Sequence, residues 1–332
     1  MCAYLFRVFD SPTDTQKTTN QFYCEKEDTL DGVYIGTSAT YRYWIPPQAY
    51  EDYGMCVYNW GTASQSISLA KFMIEDALKT QHNMKVILIE LRNVKKRKID
   101  YSSVDFRRVT DNMPFSMNRI RAIDYSLNYY QEMGIPIDYN KLDYYVPFVT
   151  YHSRWNDDIG REDLKARKEK VIYKGYVFTG SLSVVKVDEP EEYTKEAKLK
   201  GPTEKVVQDL IDYCKGLDAR VIFVASPFNY TDEAYGFVNT AAACVKEEGF
   251  TVWNFNREPY KSRLNMDWSS EFKNETHANI WGAQKYTRCL SEMLHEEIDL
   301  EDHRGQRGYE SWDESMKAFD KRLIEEGIRN NN

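Results

Sequence analysis

Two features of the sequence predict a three-layer α/β/α doubly wound domain built on a mainly parallel, five-stranded sheet. Five short runs are apolar, β-branched or aromatic nearly throughout, and helical patterns alternate with them. Strands of that kind need cover on both faces, and right-handed crossovers then place helices on either side of one sheet.

The first strand is Val33-Tyr34-Ile35-Gly36 and the second is Met55-Cys56-Val57-Tyr58-Asn59. A helix is expected over Ser66 to Thr80, where Ile67, Ala70, Ile74 and Leu78 approximate one face. The third strand, Lys85 to Leu91, is the clearest; the fourth is Arg220 to Ala225 and the fifth Thr251 to Phe255. Between the last two, a helix over Asp232 to Glu248 ends at Gly249, which suits a left-handed position after the helix. A final amphipathic helix follows His277 and runs to about His295.

The stretch 94–218 is too long for a plain crossover and reads as an insertion, a cap or side lobe over the sheet edge. It is helical around Asn118 to Met133, has Tyr-rich loops, and carries a charged, exposed segment from Asp188 to Pro202. The expected organisation is an N-terminal extension or anchor remnant (1–30), the α/β domain (31–300) and a C-terminal helical tail (301–332).

Composition narrows the function classes. The chain is 42% hydrophobic and 29% charged, as in a globular protein. Its net charge is −8, and the short run Lys95-Lys96-Arg97-Lys98 makes no basic face, so nucleic acid is not an expected partner. The 25 tyrosines fit either carbohydrate contact or a Tyr-rich core. Six scattered cysteines contain no CxxC pair and give no zinc pattern; Cys56 and Cys214 read as small core residues, and a Cys2–Cys24 disulfide is left open. No apolar run reaches the ~18 residues of a membrane span, and Met1 to Val8 is too short for a signal-peptide core.

Gly36-Thr37-Ser38 directly follows the first strand. In a doubly wound sheet that end faces the crevice where ligands bind, and glycine there lets the chain turn and present the serine. The other reading of a serine after a strand is a helix cap. Of the five histidines, His277 follows the last strand and so reaches the same sheet edge. The segment is not an α/β-hydrolase elbow, because residue 40 is Thr where that motif has Gly, and no phosphate-binding P-loop occurs.

These segments, taken in order and spacing, resemble the SGNH/GDSL hydrolase superfamily, especially bacterial extracytoplasmic members related to the D-alanyl transfer protein of teichoic acid synthesis. The likeness rests on Val33-Tyr34-Ile35-Gly36-Thr37-Ser38, on Tyr58-Asn59-Trp60-Gly61-Thr62-Ala63-Ser64-Gln65, and on Asn274 to His277 with Asn279 and Gly282-Ala283-Gln284-Lys285-Tyr286-Thr287. Ser226-Pro227-Phe228 and Tyr151-His152-Ser153-Arg154-Trp155 add to it. What the resemblance implies is a metal-independent, cofactor-free site in which Ser38 attacks an acyl carbonyl and His277 takes its proton. It also implies an oxyanion donor at the backbone N–H of Ser64, where the superfamily has Gly, and a further donor at Asn93. Gln65, His152 and Arg154 are its expected substrate-side residues, the last by bidentate hydrogen bonds. The implied partner is an acylated carbohydrate of the cell envelope or another small ester. The implied location is outside the cytoplasmic membrane, with Met1–Val8 as remnant of an anchor.

One position departs from the pattern. The superfamily's acid lies three residues before the histidine, and here that residue is Asn274. Losing that acid costs on the order of 10⁴ in turnover in a serine protease. Three arrangements answer the departure: a dyad in which Asn274 holds the ring, a carboxylate such as Glu275 acting from a shifted position, or a pocket that binds without turnover. A histidine base with an ordinary pKa predicts activity rising through roughly pH 6–7.

Overall fold

Alternate residues of each strand enter opposite cores. Val33, Ile35, Ile87, Ile89, Val221 and Phe223 join one; Tyr34, Val86, Leu88, Ile222 and Val224 join the other. The computed structural model describes residues 14–94, 103–137, 140–146 and 172–330. Within them the strands are β1 (Gly32–Gly36), β2 (Val57–Gly61), β3 (Val86–Glu90), β4 (Arg220–Ala225) and β5 (Thr251–Asn254). All neighbours pair in parallel, in the order β2-β1-β3-β4-β5. The expected α/β/α class, with a mainly parallel five-stranded sheet flanked by helices, is what the chain adopts.

The helices are α1 (Asp14–Phe22), α2 (Ser38–Tyr43), α3 (Pro46–Tyr53), α4 (Ala70–Ala77), α5 (Ser103–Thr110), α6 (Met117–Glu132), α7 (Lys141–Tyr145), α8 (Gly201–Cys214), α9 (Asp232–Glu247), α10 (Tyr260–Leu264), α11 (Ile280–Glu297) and α12 (Glu310–Glu325). Buried residues of α4, α6, α8 and α9 complete the core on one face of the sheet; α11 completes the other, with Ala49 of α3 and Phe319 and Leu323 of α12, while Tyr50 and Trp312 join the first. Gly249 closes α9 at φ +85°, the left-handed geometry its sequence position predicts. No helix among the described residues is long and apolar enough to cross a membrane.

Two element boundaries differ from the sequence reading. Strand β2 runs two residues later than read at both ends, Val57–Gly61; at its start Asp31 Oδ2 takes the Cys56 N–H at 2.6 Å and the ladder opens opposite Gly32. The helix expected over Ser66 to Thr80 begins as a 3₁₀ turn, Ile67–Leu69, capped by Ser66, and ends at Ala77 in tight i−3 bonds from Lys79 and Thr80. Many of the tyrosines are core residues: Tyr34, Tyr43, Tyr50, Tyr58 and Tyr286 are fully buried. Cys56 and Cys214 are buried as expected, while Cys2 lies outside the described residues.

Candidate active site

Strand order reverses between β1 and β3, and the crevice of a doubly wound sheet opens there, at the carboxyl ends. Ser38 follows β1 and Arg92 follows β3, so the two residues flank that point. Thr37 is the N-cap of α2, its Oγ1 accepting the Ala39 N–H at 3.2 Å, which makes Ser38 the first helical residue. The Ser38 N–H therefore has no intrahelical acceptor.

Helix α2 is only six residues long, so its position depends on what grips it. Buried Asn59 donates from Nδ2 to the carbonyls of Thr40 and Trp44, both at 2.8 Å. Thr287 donates to Tyr43 O at 3.1 Å and accepts the Ile45 N–H at 3.0 Å. Close approach is allowed by two glycines. A Cβ on Gly61 would stand 1.9 Å from Thr40 Oγ1, and one on Gly36 would stand 2.4 Å from Glu90 Cβ. The conspicuous Asn59, Gly61 and Thr287 of the sequence are thus supports for the serine's helix.

The histidine arrives on a short hairpin between the last strand of the main sheet and the final amphipathic helix. Strands β6 (Phe272–Asn274) and β7 (His277–Ala278) pair antiparallel with Asn274 opposite His277. Asn274 Oδ1 accepts the Thr276 N–H at 3.0 Å, an Asx turn that closes the two-residue connection. Asn279 then caps α11 through the Gly282 N–H and ties the strand back to Ser270 O and Phe272 O.

These two units bring Ser38, His277 and Asn274 into one chain of hydrogen bonds. Ser38 Oγ lies 2.8 Å from His277 Nε2, and His277 Nδ1 lies 3.0 Å from Asn274 Oδ1. Because the Thr276 N–H can only donate, the amide oxygen of Asn274 is the atom that faces the ring. Nδ1 then carries the proton and Nε2 presents its lone pair to the serine. Thr276 Oγ1 also donates to Asn274 Oδ1 at 3.2 Å and sits 3.2 Å from Nδ1. One amide oxygen thus occupies the place of a carboxylate oxygen. Glu275 is exposed, and its carboxylate is not a partner of the ring.

Electrostatics around His277 run one way. Burial and the positive charges of Arg92, Arg42 and Lys273 lower its pKa to about 3. The imidazole is therefore neutral over the whole physiological range.

Ser64 adopts φ +53°, the left-handed backbone that glycine takes easily, and it lines the same cavity as Thr37 and Ser38. Arg108 of α5 fixes that loop by donating to Ala63 O at 2.8 Å. Gln65 points inward instead: it accepts from Thr62 Oγ1 at 3.1 Å, is buried, and braces the loop without lining the cavity. Asn93 closes the 3₁₀ turn Leu91–Asn93, and its side chain lies outside the described groups. His152 and Arg154 also lie outside the described residues.

Arg92 is the site residue that sequence reasoning missed. Its guanidinium donates to Ser226 Oγ (3.0 Å), Pro227 O (2.9 Å) and Thr276 O (2.7 Å), joining the end of β4 to the histidine's hairpin. It packs over Phe228, 4.8 Å from the ring centroid. Beneath it, fully buried Glu90 accepts from the N–H groups of Arg92 and Ser226 and from Tyr34 OH at 2.8 Å. Burial raises the Glu90 carboxyl above its ordinary pKa, and Arg92 and these donors oppose that rise.

The cavity measures about 240 Å³. Ser38, Ser64, Arg92 and His277 line one part of it, and Val94, Phe228, Phe237 and Val238 give it an apolar wall. Among the described residues, the grouping whose donors could surround a cation is Glu27, Asp28 and His82, exposed at the opposite, amino edge of the sheet. Comparison with family models and with curated proteins finds no match to this chain.

Proposed function

We propose that the chain is an SGNH-type serine hydrolase, an esterase or acyltransferase acting on an acylated carbohydrate. One observation carries the reading: Ser38 Oγ stands 2.8 Å from His277 Nε2 while Asn274 Oδ1 holds Nδ1 at 3.0 Å. That is nucleophile, base and orienting group at hydrogen-bond distances. Ser38 Oγ bonds to the acyl carbon as its proton passes to Nε2. The carbonyl oxygen takes the negative charge, facing the N–H groups of Ser38 and Ser64. The carbon–oxygen bond to the alcohol then breaks, and that alcohol leaves with the proton from Nε2. Water, or a second hydroxyl in the transferase case, repeats the sequence and frees Ser38.

The amide at 274 supports a second reading, a pocket that binds an acylated glycan with little turnover. An imidazolium formed beside Arg92, Arg42 and Lys273 has no carboxylate partner, which makes the proton transfer costly. Hydrolysis of an aryl acetate separates the two. The enzyme reading predicts turnover that falls at least about 10³-fold in both Ser38→Ala and His277→Ala; equal rates in wild type and Ser38→Ala favour the binding reading. An extracytoplasmic, membrane-tethered setting belongs to the same proposal and rests on the family resemblance alone.

A further inference from the structure

A carboxylate beside a catalytic histidine fixes which ring nitrogen carries the proton and steadies the imidazolium that forms. The amide of Asn274 brings one oxygen to that place and no charge. A second oxygen stands with it. Thr276 Oγ1 lies 3.2 Å from His277 Nδ1 and 3.2 Å from Asn274 Oδ1, and Oδ1 itself lies 3.0 Å from Nδ1. The three atoms form a nearly equilateral triangle.

The protons in that triangle are few enough to place. Asn274 Oδ1 accepts the Thr276 N–H at 3.0 Å and has no proton to give. The threonine hydroxyl has one proton, which it donates to Oδ1, so its lone pairs are what the ring meets. Both oxygens then accept, and Nδ1 must hold the proton, shared between them in a three-centre bond. The hydroxyl is not needed to close the Asx turn, because the backbone N–H already does so. The backbone here is gripped from outside the hairpin as well. Arg92 Nη2 donates to Thr276 O at 2.7 Å, and the Asn229 N–H donates to Glu275 O at 2.6 Å. These bonds hold the main chain and leave Thr276 Oγ1 beside the ring.

We infer that Thr276 is a positioning residue: its hydroxyl and the Asn274 amide together stand in for the two oxygens of a carboxylate, fixing Nδ1 as the protonated nitrogen and Nε2 as the base. As Ser38 passes its proton to Nε2, the Nδ1–H becomes a charged donor and both of its bonds strengthen. No proton leaves Nδ1 or the threonine. The inference deepens the hydrolase reading and rests on it for turnover, though not for the state of the ring.

Three variants test it: Thr276→Val, Thr276→Ala and Thr276→Ser. Losing an acceptor for a charged donor predicts that the valine and alanine variants lose roughly ten- to a hundred-fold in turnover of an aryl acetate. The loss should fall on kcat and not on KM, and serine should restore it. In an Asn274→Asp background, where the carboxylate supplies the second oxygen itself, the cost of Thr276→Val should shrink. A second arm needs no substrate. Nitrogen NMR of the His277 ring near neutral pH reads its tautomer, which should be Nδ1–H in wild type and Thr276→Ser. The share of Nε2–H should rise in the valine and alanine variants.

Wild-type kcat in Thr276→Val and Thr276→Ala, or a loss that serine does not restore, overturns the inference and leaves the hydrolase reading standing. If the wild type turns over no ester, the ring decides. A tautomer shift in valine that serine reverses keeps the positioning role while the hydrolase reading falls. Unchanged tautomers in the valine and alanine variants overturn the role in every case.

Discussion

Among the described residues, His303 and His277 stand in hydrogen-bonded clusters at opposite ends of β1, and the clusters differ in one atom type. At the amino end, His303 Nε2 lies 3.0 Å from Asp31 Oδ1, with Gln306 at the other ring nitrogen and Tyr309 stacked at 4.0 Å. At the carboxyl end, His277 has the amide of Asn274 where His303 has a carboxylate. Burial lowers the pKa of both rings. For His303 the hydrogen bond and charge of Asp31, with Gln306 and Glu301, outweigh burial and the pKa ends above its ordinary value. For His277 no acid opposes burial, three cations add to it, and the pKa falls to about 3. The carboxylate is thus kept where the pair joins the C-terminal segment to the sheet, and absent where a proton would have to move. The amino-end pair ties the C-terminal segment to the sheet, and the carboxyl-end ring stays neutral.

The largest effect is expected from making the second cluster like the first. Asn274→Asp should raise kcat on small neutral esters by on the order of 10², since the reverse change in a serine protease costs about 10⁴. A base must be neutral to act, so a pKa near 3 leaves wild-type kcat/KM flat from about pH 5 to 8. In the aspartate variant the acid limb should move up into that range; a profile that stays flat would show that 274 does not govern the ring.

The converse change removes the acid from the clamp. Asp31→Asn leaves His303 buried without its anion and weakens the acceptor for the Cys56 N–H. It should cost about 3 kcal/mol of stability, read from the urea midpoint. Asn59→Ala comes next, at about 2 kcal/mol, because it removes the buried donor shared by the carbonyls of Thr40 and Trp44. It should also lower kcat without a matching change in KM. A stable variant with full kcat would contradict the role given to Asn59.

The smallest effect is a pair of opposite pH slopes in stability. His277 is lowered relative to the unfolded chain, so its contribution is complete above about pH 6.5 and is lost as pH falls toward 3. His303 is raised, so its contribution is complete below about pH 6.5 and is lost as pH climbs through the folded value. Removing each in turn (His277→Gln, His303→Gln) should tilt the curve of stability against pH in opposite senses.

The fold was legible because a strand buried on both faces must be apolar throughout, and β1, β3 and β4 announce that directly. The start of β2 was not, because a long-range acceptor, Asp31 Oδ2, withdraws the Cys56 N–H from the ladder. At the site, Ser38, Asn274 and His277 were readable from their order, and the structure brings all three together. The β6–β7 hairpin escaped because its pairing is too short to leave a periodic pattern. Arg92 escaped for another reason: an arginine after a strand reads as a surface charge, and only the fold puts Thr276 O, Ser226 and Phe228 around it. Its neighbour Asn93 drew attention, whereas a cation one residue after Leu91, at the switch point of the sheet, was the sharper signal. Gln65, a polar residue beside the cavity, turns inward to hold Thr62.

The pairing of Ser38 with His277 is the claim on which the rest depends, and a fluorophosphonate probe tests it most directly. Peptide mass spectrometry of the labelled wild-type protein should find one adduct, on Ser38, formed faster in Asn274→Asp and absent in His277→Ala. Labelling elsewhere, or none in the wild type and the aspartate variant alike, would contradict the account.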